Sequence, residues 1–137
     1  MIEEELIGLE TAILAKEKGF NERTLYVYKE TFAHDIEDHH TGNEYHNEYV
    51  PPRPSYYDYF TEHDHEVCKA PTQSLLQRWL REVHNIHCWV SPETYLNFNY
   101  HYFMTGGYTH MKDGFPTYEI AMEEALKESL KTLKTIK

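Results

Sequence analysis

Residues 71–102 read PTQSLLQRWLREVHNIHCWVSPETYLNFNYHY, a capped helix followed by two alternating strands. Thr72, just after Pro71, has the side chain of a helix N-cap. Leu75, Leu76, Trp79, Leu80 and Val83 recur at helical spacing and predict one apolar face. Their full burial is worth roughly 7–15 kcal/mol before entropy is subtracted, an upper bound. Asn85 suits a left-handed helix end. Ile86, Cys88 and Val90 then alternate with His87 and Trp89, and Ser91-Pro92-Glu93-Thr94 predicts a turn. Leu96, Phe98, Tyr100 and Tyr102 alternate with polar residues, the pattern of an antiparallel strand with one solvated face.

Elements on either side extend this reading. A first helix is expected from Glu3 to Lys18, its stripe being Ile2, Leu6, Leu9 and Ile13, with Gly19 as a left-handed stop and Phe20 as its apolar contact. Leu25–Tyr28 has strand composition. Residues 31–55 read as a polar His/Asp/Glu-rich loop whose Val50-Pro51-Pro52-Arg53-Pro54 end is extended. Tyr56–Phe60 is expected as a strand pairing with Leu25–Tyr28. Thr117 should cap a last helix reaching Leu133, with Tyr118, Met122, Ala125, Leu126, Leu130 and Leu133 inward. The expected fold is α+β: one domain over residues 1–137, a small, mainly antiparallel sheet of about four strands packed against three helices.

The net charge is −10, spread unevenly: −11 over residues 1–68 and +1 over residues 69–137. Such a field repels phosphate backbones, so nucleic acid is not an expected partner; Lys69, Arg78 and Arg81 form the one compact basic group. No apolar run approaches the roughly 20 residues of a membrane span. The acidic start is unlike a secretory signal, and two cysteines without CxxC spacing suit a reducing cytoplasm.

Leu9-Glu10-Thr11-Ala12, Ala15-Lys16-Glu17-Lys18-Gly19-Phe20, Ala70–Glu82 and Pro116-Thr117-Tyr118-Glu119 resemble segments of small uncharacterised proteins of bacterial genomes, phages and other mobile elements. The resemblance implies a phage or mobile-element setting and carries no assigned activity or catalytic residue.

Candidate chemistry concentrates between His34 and Cys68, with six histidines, nine carboxylates and one thiol. His39, His40, His63, His65 and Cys68 have the donor chemistry for zinc or another divalent transition metal. No HExxH, paired CxxC or zinc-finger spacing supports them, and a solvated acidic loop is the simpler reading. His84 should lie near helix C-terminal carbonyls, where a protonated imidazole is favoured. Cys88 should point into the core. No serine sits in G-x-S-x-G, and no phosphate loop or dinucleotide fingerprint occurs. Phe98, Tyr100, Tyr102 and Phe103 would suit base stacking, but the acidic balance favours the first three as core.

The sequence therefore points to a non-enzymatic binding or accessory protein without a cofactor, acting through protein contact or self-association as a homodimer. Tyr56, Tyr57, Tyr59 and Trp89 are the expected interface. A metal-binding protein or metal-dependent enzyme built on His34–Cys68 is the alternative.

Overall fold

The computed structural model describes residues 4–34, 47–94 and 97–135. Its central helix, α2 (Gln73–His84), begins where Thr72 accepts a hydrogen bond from the Leu75 N–H at 3.1 Å. It ends at Asn85, whose φ of 56° and ψ of 31° are left-handed, as its sequence implies. The chain then forms β4 (Ile86–Thr94), β5 (Asn97–Met104) and β6 (His110–Phe115), an antiparallel meander of order β4-β5-β6. Thr117 caps α3 (Tyr118–Lys131) by accepting from the Ile120 N–H at 3.1 Å.

Before α2 come α1 (Leu9–Glu17), β1 (Tyr26–His34), β2 (Asn47–Tyr56) and β3 (Asp64–Lys69). These strands form a second antiparallel sheet of order β2-β1-β3. The fold is α+β; among the described residues it has three helices and two three-stranded sheets, in place of one sheet of about four strands. The chain order is helix and three strands, twice, then a closing helix.

The first helix starts later than its periodicity suggests. Residues 4–8 run extended beside the start of α2: Ile7 N–H donates to Pro71 O at 3.0 Å and Gln73 N–H to Glu5 O at 2.8 Å. These backbone bonds give the segment partners that a helix would otherwise supply. Gly8, the N-cap, has no side chain to satisfy the helix start, and its N–H donates to the Glu123 carboxylate of α3 at 3.1 Å. The anionic group near the positive end of α1 thus comes from across the fold. The buried face is Thr11, Ala12 and Ala15, while Ile13 is exposed. These small side chains let α1 pack closely on α3 and β3. Gly19 supplies the left-handed stop at φ 96°, and Phe20 packs edge-on to Trp79 at 5.3 Å.

Part of the expected loop is sheet. Thr31–His34 continues β1, and residues 47–55 belong to β2, with Lys29 opposite Arg53 and Tyr28 opposite Pro54. Three prolines fit within β2 because it is an edge strand, where a missing N–H costs no ladder bond on the solvent side. Tyr56 closes β2 opposite Tyr26; Tyr57–Phe60 is turn rather than strand.

The core gathers around α3, which touches α1, α2, β4, β5 and β6. Its Met122, Ala125, Leu126 and Leu130 pack with Leu76, Trp79, Leu80, Ile86, Cys88 and Tyr100. Tyr102 is half-buried against this core, so Tyr100 and Tyr102 fit the inner-face reading of β5; Phe98 is half-buried and meets Tyr118 edge-on at 6.4 Å, and Leu96 lies outside the described residues. Val83 is 55% exposed and Leu75 half-buried, because the sheet and α3 cover a narrower arc of α2 than its apolar residues occupy. Tyr118 is likewise exposed at the start of α3.

Candidate binding groove

The exposed side of α2 forms one wall of a groove. Leu75, Arg78 and Arg81, three residues apart, share a helix face. The connector from α1 to β1 supplies the opposite wall through Arg23, Thr24 and Leu25, held by Tyr57 N–H donating to Leu25 O at 3.0 Å. Together with Tyr26 and residues 70–72 they enclose about 520 Å³. Past Arg23–Leu25 the groove continues into a cavity of about 360 Å³ beside Tyr56, Tyr57, Asp58 and Lys69. Tyr26 and Tyr56 stack at 4.5 Å, and Tyr59 meets Tyr56 edge-on at 5.4 Å.

Arg23, Lys69, Arg78 and Arg81 face only Glu4 and Asp58 along this lining. Arg78 pairs with Glu82 at 3.0 Å, a solvent-exposed pair of little energy. Among the described residues no ion pair engages Arg23 or Arg81. The apolar contribution is exposed as well, with Leu25 at 76%. A cationic, tyrosine-edged groove thus interrupts a strongly acidic surface.

Sequence reasoning found Lys69, Arg78 and Arg81 but not Arg23, which joins the groove from the connector between α1 and β1. Of the expected interface residues, Tyr56 and Tyr57 line the groove, and Tyr59 touches Tyr56. Trp89 lies instead on the outer face of the second sheet, stacked on His101 at 4.9 Å, with His87 on Phe103 at 5.1 Å. Tyr56 closes β2, Tyr57 and Tyr59 lie in the turn after it, and Trp89 belongs to β4 of the other sheet, so the four aromatics do not share one spare face.

On the other side of residues 4–6 the surface reverses sign. Glu4 and Leu6, which also border the groove, line a cleft of about 590 Å³ with Glu5, Glu119, Glu123 and Glu124. Glu123 is engaged by Gly8, and Glu124 by Lys127 at 3.1 Å. A smaller hollow of about 150 Å³ beside Glu4, Glu5, Ser74 and Glu119 also lies along this border.

Of the expected metal donors, the three among the described residues do not gather. His39 and His40 lie outside the described residues. His63 is beside Glu62 at 3.4 Å, His65 is edge-on to Phe32 at 5.6 Å, and Cys68 is buried in the core. Among the described residues no three His, Cys, Asp or Glu side chains form a metal-holding group. Asp64, between the two histidines, is consumed internally. Its carboxylate accepts from Lys29 Nζ at 3.0 Å, from Thr61 N–H at 2.9 Å and from the Thr31 hydroxyl. The Thr31 and Thr61 hydrogen bonds, then Lys29, hold it well below the usual carboxylate range.

His84 corrects the expectation of a favoured imidazolium: burial lowers its pKa, and its ring sits edge-on to Trp79 at 4.6 Å. Cys88 faces the core as expected, and burial pushes both its thiol and that of Cys68 up to about 11. A thiol kept protonated is a poor nucleophile. Iodoacetamide at about pH 8 should label neither cysteine in the native protein and both after urea. The folded state retains protons that the unfolded chain releases from about pH 8.5, so thiol linkage should lower stability as pH rises toward 11. Urea titrations across that range check the direction.

No family model, curated protein or solved structure matches this chain.

Proposed function

We propose that this chain is a non-enzymatic binding or accessory protein of phage or mobile-element origin, working in the cytoplasm through protein–protein contact at the arginine–tyrosine groove. The observation that carries this reading is that Arg23 and Arg81 both line this concave surface and neither has an ion-pair partner among the described residues. Arginine and tyrosine dominate protein interfaces because each combines a broad apolar or planar body with directional donors. In a chain of net charge −10, such a groove also sets orientation, since an acidic partner surface is repelled elsewhere. Burial of both thiols supports a contact role over thiol catalysis.

The reading is tested by a photo-cross-linking residue at Tyr57, on the groove, and in a separate variant at Tyr108, outside it and 90% exposed. In cells, adducts to protein are expected at position 57 and not at 108. Arg81→Glu should reduce them at least about tenfold, as loss of an interface anchor does. Equal adducts at both positions, or adducts to nucleic acid alone, would contradict a protein-binding groove.

A further inference from the structure

The carboxylate-bearing surface that suits the groove occurs on this chain itself, immediately beside it. Glu4 and Leu6 border both the basic groove and the glutamate cleft, so the two opposite charge patches adjoin across one extended segment. We propose that the groove's partner is a second copy of this chain, joined about a two-fold axis that sets the arginines of each copy against the glutamates of the other. The inference rests on the groove being a protein-contact site.

A two-fold contact presents the same patch from both subunits, so the patch must be self-complementary. A patch of one sign cannot meet this condition, whereas adjoining patches of opposite sign can. Arg23 and Arg81, in no ion pair among the described residues, supply cations. Glu5 and Glu119, both exposed and neither in an ion pair among the described residues, supply anions. Each copy contributes one set to each of two reciprocal contacts. Leu25, exposed on the groove wall, and the half-buried Leu75 beside it give the contact an apolar component.

Association by strand addition is a weaker route for this fold. The prolines in β2 remove donors from that edge. Lys16 Nζ donates to Val67 O of β3 at 2.8 Å, and Gln77 Nε2 to Cys88 O of β4 at 2.6 Å. A register shift interrupts β6 near Gly114, where φ is 89°. Side-chain charge, rather than an open ladder, is what the surface offers a second copy.

The test is sedimentation equilibrium of the purified full chain. A dimer is expected at low ionic strength, with its dissociation constant at least about tenfold weaker at roughly 0.5 M than at roughly 0.05 M salt, because exposed charges are screened over a few ångströms. Arg23→Glu with Arg81→Glu should be monomeric, since each contact then sets glutamate against glutamate. Glu5→Lys with Glu119→Lys should be monomeric for the converse reason. Mixed in equal amounts, the two variants should restore a dimer, because both reciprocal contacts are again attractive. Restoration distinguishes a charge-matched interface from variants that merely misfold.

A chain that stays monomeric at low salt overturns the inference, as does a dimer whose affinity neither double substitution changes. Monomeric protein that still yields Arg81-dependent adducts at position 57 leaves the groove as a contact site for a different protein. Dimeric protein with no such adducts overturns the groove reading and this inference together.

Discussion

Trp79→Ala is expected to cost about 3–5 kcal/mol of folding stability, the range for truncating a buried tryptophan. Trp79 is 6% exposed and packs against Phe20 and His84 within the common core. That loss is a large fraction of the roughly 5–15 kcal/mol that holds a domain folded. Urea unfolding followed by far-ultraviolet circular dichroism reads it directly. Trp89→Ala is the control: Trp89 is 38% exposed and stacks on His101 at the sheet surface. Trp79→Phe should recover part of the loss by refilling the cavity. Equal destabilisation by Trp79→Ala and Trp89→Ala would contradict the assignment of the two rings to inside and outside.

The second large effect is expected at Asp64, whose side chain is 3% exposed and binds Lys29, itself 11% exposed. The group ties together three strands and a turn. Lys29 and Thr31 come from β1, and Arg53 of β2 donates to the Thr31 hydroxyl at 2.8 Å. Lys29 also donates to Tyr59 O at 2.7 Å and lies over the Phe60 ring at 5.3 Å. Asp64→Ala would leave the Lys29 ammonium nearly buried without its counter-charge, which is costlier than losing an exposed pair. Asp64→Asn keeps the shape and removes the charge, so its denaturation midpoint should fall between those of wild type and Asp64→Ala.

The pH dependence follows from the depressed pKa. The unfolded carboxylate titrates near about 3.9 and the folded one lower, so the contribution is complete above about pH 5. It is lost as pH falls through the folded value. The gap between wild type and Asp64→Asn should therefore be widest near neutrality and close in strong acid. A gap independent of pH would show that the carboxylate charge does not stabilise this sheet.

Features written in local chemistry were legible. Thr72, Asn85, Gly19 and Thr117 act on their immediate neighbours, and all four mark helix ends in the structure. Features set by distant partners were not. Residues 4–8 have helix-like spacing but bond to the segment before α2, and β2 tolerates prolines only because it is an edge. The strand β6 was missed since His110–Gly114 is exposed throughout and shows no alternation of buried and solvated side chains. Leu75 and Val83 look like full core from spacing alone; that Leu75 is half-buried and Val83 exposed depends on how much of α2 its neighbours cover.

The candidate site was half visible for the same reason. Lys69, Arg78 and Arg81 lie close in sequence, whereas Arg23 joins them only when the α1–β1 connector folds back. The tyrosines at positions 56, 57 and 59 were recognised as exposed, but their grouping with these cations depends on the pairing of β1 with β2.

Because α3 follows every other element in chain order yet packs against both earlier helices and all strands of the second sheet, its place in the core bears on biosynthesis. A ribosome adding about 5–20 residues per second takes on the order of ten seconds to make this chain. Leu76, Leu80 and Ile86, once made, lack the helix that covers them until residues 118–131 follow. The nascent polypeptide therefore stays open to chaperones and proteases at this core until Leu126 and Leu130 emerge.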